Sequence, residues 1–280
     1  MRLAVINDEV DQDLGRAADA AAGCGFTGIE VRSVGNVPPH ELTDERLGEV
    51  VRELAGRGLA VAGFCPPALK VRRPRTDEDV AAARALLVRA VAQARVLGAP
   101  HVRIFTFYRD GDPDPAGAAE AAKRVLDGVD LDGVKLLVET GTRTNTPTME
   151  LVLRFLEAVD VDGLGVLWDP GNSVFSGMHA APFPSEYRLG KELIEHVHVK
   201  DPAGTSGYVR LGDGDLPWGD IVDTLRADGY TGWLSLETHW RIGRVLNQRQ
   251  RDTPWGDDFT DGGHEASVEC MRRLKEMVDR

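Results

Sequence analysis

Glu195-His196-Val197-His198-Val199-Lys200-Asp201 is the stretch from which the chain is best read. Alternate residues of a β-strand point to the same side, which puts His196, His198 and Lys200 on one face. Two imidazoles and an ammonium inside a protein need partners, and three other apolar runs each finish on a carboxylate. Val134–Val138 runs into Glu139, Leu164–Trp168 into Asp169, and Trp233–Leu236 into Glu237. Together with His198 these endings form the donor set of one divalent-metal site at the rim of a parallel barrel.

Working outward, strand-like runs begin near Leu3, Ile29, Ala60, His101, Val134, Leu164, Ile194 and Trp233. Helical patterns lie between them: Asp13–Gly23, Thr43–Gly56, Asp77–Leu97, Ala116–Val129, Thr148–Val159, Trp218–Ala227 and Glu265–Val278. The connection between Asp169 and Ile194 has the weakest helical pattern. Strict strand–helix alternation predicts a parallel sheet. Eight units in 280 residues predict a single (β/α)8 barrel spanning residues 1–280. A doubly wound sheet is the rival, but no Gly-x-Gly-x-x-Gly follows the first strand. Thr43 and Thr76 are expected as helix N-caps, with Gly58 and Gly98 as helix stops.

Two connections are long for simple loops, Ser173–Arg188 (173–188) and Trp240–Gly263 (240–263). Both follow strands that end on expected ligands and are therefore expected over the active face, as a lid or a subunit contact or else as a disordered excursion. The second is long enough to reach a neighbouring copy, so a homo-oligomer stays open.

Composition narrows the function. The net charge of −12, from 33 basic and 45 acidic side chains, disfavours nucleic acid and anionic membranes as partners. Three scattered cysteines without CxxC spacing form no disulfide framework and point to a reducing compartment; Cys65 is expected to be packed. The N-terminus lacks the pattern of a signal peptide, and no window approaches 18 apolar residues, so a cytoplasmic protein is expected.

Three oxygens and one imidazole suit a fairly hard divalent ion. Mn²⁺ is favoured, with Mg²⁺, Co²⁺, Fe²⁺ and Zn²⁺ open. His198 lies at the depth of the other donors, whereas His196 sits a strand pleat, roughly 6–7 Å, deeper and is expected as a hydrogen-bonded support. Lys200 is expected at the mouth, neutralising an oxyanion or phosphate or pairing with a rim carboxylate. Glu30 reads as polar support deep in the barrel, and Thr142 and Arg143 as a substrate-binding loop. A metal that chelates a carbonyl and its neighbouring hydroxyl acidifies the carbon between them and stabilises an enediolate. Glu139 and Glu237 then act as base and acid, each with one oxygen on metal and the other facing substrate.

Val138-Glu139-Thr140, Trp168-Asp169-Pro170-Gly171-Asn172, His196-Val197-His198-Val199-Lys200-Asp201 and Ser235-Leu236-Glu237-Thr238-His239-Trp240 resemble the xylose isomerase-like TIM-barrel superfamily, in its sugar phosphate isomerase/epimerase branch. Leu211-Gly212-Asp213-Gly214-Asp215 with Trp218, and Gly28–Arg32, resemble further segments of that branch. The resemblance covers essentially the whole chain. It implies the Glu139–Asp169–His198–Glu237 metal site and proton exchange between the two glutamates. Many members carry a histidine where this chain has Asn172, which is read as a substrate or supporting hydrogen-bonder. Arg210 resembles a substrate-contacting position, and His239 and Trp240 are placed to stack on or hydrogen-bond a sugar.

The expectation is a divalent-metal-dependent sugar or polyol isomerase/epimerase with a small-molecule sugar substrate. A dehydratase or lyase acting on keto-inositols or 3-keto-glycosides is the alternative, since the same enediolate can expel a leaving group. A DNA-repair enzyme of the endonuclease IV type is disfavoured by the charge and by the absence of histidine at Phe64-Cys65 and Phe105-Thr106-Phe107. Retention of both glutamates argues against a non-catalytic sugar-binding protein.

Overall fold

The computed structural model describes residues 1–280. In chain order the strands are β1 (Arg2–Ile6), β2 (Gly28–Val31), β3 (Ala60–Ala68), β4 (His101–Ile104), β5 (Lys135–Glu139), β6 (Leu164–Trp168), β7 (Ile194–Val199), the short β8 (Asp201–Ala203) and β9 (Gly207–Val209), and β10 (Trp233–Leu236). Seven of the barrel strands pair in sequence from β1 to β7. β10 pairs in parallel with both β7 and β1 and closes the barrel. The expected (β/α)8 fold is therefore the observed one.

Side-chain parity explains why the barrel holds a polar site. Leu3, Val5, Ile29, Val138, Val166, Val197, Val199 and Leu236 belong to the large apolar core between strands and helices. The residues alternating with them, Glu30, Glu139, His196, His198 and Ser235, are buried and face the barrel interior. Toward the opposite end Ala4, Ala62 and Trp233 pack as a separate small cluster. A Cβ at Gly28 would come within 2.6 Å of the Trp233 ring, so glycine is what lets the indole fill the interior.

Local signals set the helices. The Thr43 hydroxyl accepts from Arg46 N ahead of the helix Asp44–Ala55. Thr76 and Asp79 form a capping box ahead of the helix Asp77–Leu97, which ends on Gly98 at φ 63°. Each such cap contributes about 1 kcal/mol.

The structure departs from expectation in the connections. The weak sixth one folds as two short helices, Pro170–Phe175 and Ser185–Gly190. β7 continues directly into the β8–β9 hairpin, and the Asp201 carboxylate accepts from Gly212 N, Gly214 N and Leu216 N at 2.7, 3.1 and 3.2 Å. The last connection is not a simple loop. It contains a hairpin of β11 (Trp240–Arg241) and β12 (Arg244–Val245), then helices Gln248–Asp252 and Asp257–Thr260. No helix is long and apolar enough to cross a membrane.

Candidate metal centre

Glu139 ends β5, His198 lies near the end of β7, and Asp169 and Glu237 directly follow β6 and β10. Barrel closure makes these four neighbours, with one donor atom of each within 4.8 Å of every other. Around His198 Nδ1, Glu139 Oε1 stands at 3.7 Å, Asp169 Oδ2 at 3.9 Å and Glu237 Oε2 at 3.6 Å. All four residues are buried.

The chemistry of this set fits a divalent ion. His198 Nδ1 is buried without a hydrogen-bond partner, while its Nε2 is bonded at 3.0 Å to Glu30 Oε2. A carboxylate acceptor places the ring proton on Nε2 and turns the Nδ1 lone pair toward the three carboxylates. Such an arrangement is repulsive unless a cation or proton lies among them. Burial opposes a charged imidazole, but Glu30 and the flanking groups outweigh it and raise the His198 pKa well above 6.5.

Behind the ligand, Glu30 also receives His196 Nε2 at 3.1 Å, Ser235 Oγ at 2.5 Å and Cys65 Sγ at 2.9 Å. Burial pushes this carboxyl up, yet His196 and His198 hold it well below the ordinary range. Burial takes His196 down to about 4 despite Glu30. His196 is thus a neutral support one pleat below the cluster, in line with its expected place.

The charge pairing decides between the two expectations for Lys200 and corrects one for the glutamates. Lys200 lines the cavity but is not a free ammonium: it is buried and pairs with carboxylates, its Nζ 2.6 Å from Asp169 Oδ2 and in contact with Glu237 Oε2. The ammonium and an incoming ion therefore draw on the same two oxygens. Nor are the outer oxygens of the glutamates clear of cations, although Glu139 Oε2 accepts no hydrogen bond. Glu139 Oε2 lies 3.2 Å from Arg103 Nη1, and Glu237 Oε1 lies 2.8 Å from Arg32 Nη1. Buried carboxylates at this density require cations, and the barrel supplies one to each. Burial pushes Glu139 up, but Arg103 and His198 prevail and hold it at about 2. Against the same burial Lys200, His239 and His198 keep Glu237 well below 4.5. Asp169 is pushed up to about 7 by burial, against Lys200, with Glu139 and Glu237 adding to the rise.

The remaining expected residues divide. Asn172 Nδ2 donates to Glu139 Oε1 at 2.8 Å and Asn172 Oδ1 accepts from Tyr208 OH at 3.2 Å, so it supports a glutamate. His239 lines the cavity, its Nδ1 2.8 Å from Glu9 Oε1. Trp240 is not part of the cavity wall; it sits on β11 against the core. Arg210 is also absent from the wall, because Asp213 and Glu269 bind its guanidinium at 2.8 and 2.7 Å on the outside of the barrel. Its position beside Leu211-Gly212 points to a surface contact with the C-terminal helix Gly263–Asp279.

Sequence reading overlooked Asp8, Glu9, Arg32, Arg103 and Tyr208. Arg32 binds Asp8, Glu9 and Glu237 at once, each at 2.8 Å, and is fully buried. Charged residues of inward parity at the strand ends, Glu30 with Arg32 and Arg103 within β4, were the available signal. Above the cluster opens a cavity of about 330 Å³. Phe175, Ser176, Gln248, Arg251, Asp252 and Pro254, from the two long connections, contribute to its wall.

The chain is a closed parallel (β/α)8 barrel with a buried cluster of three carboxylates and one imidazole at the C-terminal rim, the face where such barrels carry their active sites. Residues 18–274 match the family described as the xylose isomerase-like TIM barrel, and the chain belongs to that family. Among solved structures it is similar to an L-ribulose 3-epimerase (23% identity, 100% of this chain and 98% of that one, TM-score 0.70). It is also similar to the D-psicose 3-epimerase of Clostridium cellulolyticum H10, solved with D-tagatose (17%, 100% and 97%, TM-score 0.72). A third likeness is to the probable 3-DHS dehydratase AsbF of Bacillus anthracis (14%, 100% and 99%, TM-score 0.71). At these identities the likeness is one of fold. No curated protein matches the chain.

Proposed function

We propose that this protein is a divalent-metal-dependent sugar isomerase or epimerase that moves a proton at the carbon beside a substrate carbonyl. Glu139, Asp169, His198 and Glu237 would hold the ion, with Mn²⁺ favoured, and the ion supplies the Lewis acidity that makes that C–H removable. Glu139 and Glu237 flank the His198 nitrogen, and neighbouring cations hold both ionised, Arg103 and His198 for the first and Lys200, His239 and His198 for the second, so the inner oxygen of each is the one left to take a proton. Arg103 and Arg32 fix the outer oxygens and leave Glu139 Oε1 and Glu237 Oε2 turned toward the cluster. Asn172 and Tyr208 steady Glu139 from the cavity side. The observation that carries this reading is the unpartnered His198 Nδ1 facing three carboxylate oxygens.

Incubation with Mn²⁺ and a panel of ketoses in D₂O, followed by NMR, tests it. Solvent deuterium is expected at the epimerised carbon, with exchange slowed about 10²–10⁴-fold in Glu139→Gln and Glu237→Gln. Exchange that persists in both variants would overturn the mechanism. The likeness to a probable dehydratase favours elimination as a second reading, and keto-inositols or 3-keto-glycosides are the substrates to try for it. An unsaturated product in the same tubes would select it.

A further inference from the structure

The chain has a net charge of −12, yet the cavity above the carboxylate cluster is cationic. Seven lysine or arginine side chains line it against three carboxylates, Glu139, Glu237 and Asp252. Four of the seven are matched: Arg32 and Arg103 as above, Lys200 by Asp169 and Glu237, and Arg143 by Asp252.

The other three have no acidic partner. Lys70 Nζ donates only to main-chain oxygens, those of Asp252 at 3.1 Å and Arg251 at 3.4 Å. The Arg251 guanidinium meets the Leu246 carbonyl and lies over the Phe175 ring at 5.0 Å. Arg109 Nη1 is buried with no hydrogen-bond partner. Its main-chain N–H bonds the Arg143 carbonyl, which brings a further cation close. Burial, with Arg103 adding, lowers the Lys70 pKa to about 8 against the pull of Asp252, Glu139 and Glu237, none of which forms an ion pair with it.

Gathering unmatched cations costs free energy unless an anion joins them. These three stand on the segments that follow β3, β4 and β10, whereas the carboxylate cluster spans β5, β6, β7 and β10. Lys70, Arg109 and Arg251 line the same cavity as Glu139 and Glu237.

We propose that the substrate is an anionic sugar derivative whose carboxylate or phosphate is bound by Lys70, Arg109 and Arg251 while its enolisable carbon lies at the Glu139–Glu237 cluster. The second half of this statement rests on the function proposed above; the anion site does not.

The test has two arms. In the first, EDTA-treated protein is titrated by calorimetry with inorganic phosphate, D-glucuronate and neutral D-fructose. At least one anion is expected to bind more tightly than fructose, with affinity weakened about tenfold or more in Lys70→Gln and in Arg251→Gln. Arg251→Gln alters a partly exposed helix residue and keeps the test valid if Lys70→Gln fails to fold. In the second arm, Mn²⁺-loaded protein is screened in D₂O against neutral ketoses, ketose phosphates and hexulosonates. Faster exchange of the phosphates or of the hexulosonates identifies which anion the site takes. Anion binding no tighter than that of fructose, or unchanged in both variants, overturns the proposal. Anion binding without proton exchange in any compound leaves the anion site standing and sinks the isomerase reading. Exchange of neutral ketoses with no anion binding does the reverse.

Discussion

Arg32 Nη1 and Glu237 Oε1 lie 2.8 Å apart with both residues buried, and the same guanidinium holds Asp8 and Glu9. One arginine thus bridges three carboxylates contributed by the segments that follow β1 and β10, with Arg241 also on Glu9 and Lys200 also on Glu237. Replacing Arg32 by Leu leaves all three buried without their shared counter-ion. The expected loss is about 3–5 kcal/mol in urea unfolding. Arg32→Lys recovers little of it, because a single ammonium cannot reproduce the fork. A loss below about 1 kcal/mol, the range of exposed pairs, would mean that solvent reaches the network.

Glu30 orients the ring of the expected metal ligand through its 3.0 Å contact with His198 Nε2. Glu30→Gln is expected to weaken Mn²⁺ binding by about 10–100-fold. A competition titration against a fluorescent chelator measures it, with circular dichroism to show the fold intact. Unchanged affinity would detach Glu30 from the metal centre.

Metal binding also shows in stability. Mn²⁺ added at about 100 times its Kd is expected to stabilise the fold by about 2.7 kcal/mol and to raise Tm accordingly. EDTA reverses the rise. In His198→Ala the response should vanish, since three carboxylates and Lys200 then lack the nitrogen donor. A Tm rise of equal size in that variant would place the ion elsewhere.

Glu186 provides a pH signature away from the cluster. It is buried, and its oxygens accept from Trp168 Nε1, Ser173 Oγ and Met149 N. Burial raises its pKa to about 7 although those three donors oppose the rise. The folded state therefore holds the proton more tightly than the unfolded chain at 4.5. The resulting stabilisation is full below the unfolded value and is lost as pH climbs through about 7. Up to about 3 kcal/mol is at stake. Glu186→Gln removes this dependence, so the stability of wild type relative to the variant should fall between pH 5 and pH 8. A flat difference would refute the assignment.

Much of the architecture was legible without coordinates. The eight strand starts, the helix Asp77–Leu97 between Thr76 and Gly98, and the preference for His198 over His196 rest on pleat parity, helical period and capping. These are properties of residues within a few positions of one another, so a linear reading captures them. The convergence of Glu139, Asp169, His198 and Glu237 followed from strand ends in a barrel, whose geometry is the same whatever the loops do.

What the chain alone could not disclose was the charge pairing. Arg32 with Glu237, Arg103 with Glu139, and Lys200 with Asp169 join positions far apart in sequence. Arg210 and Trp240 were misplaced for the same reason: nothing nearby in sequence says which face of a loop the helix Gly263–Asp279 or the β11–β12 hairpin will occupy. Residue order by itself determined the barrel and the rim where its donors gather, because both follow from local periodicity. Only the closed tertiary structure decided which cation pairs with which carboxylate and which cations pair with none, because long-range electrostatics acts through distances that exist only once β10 has paired with β1.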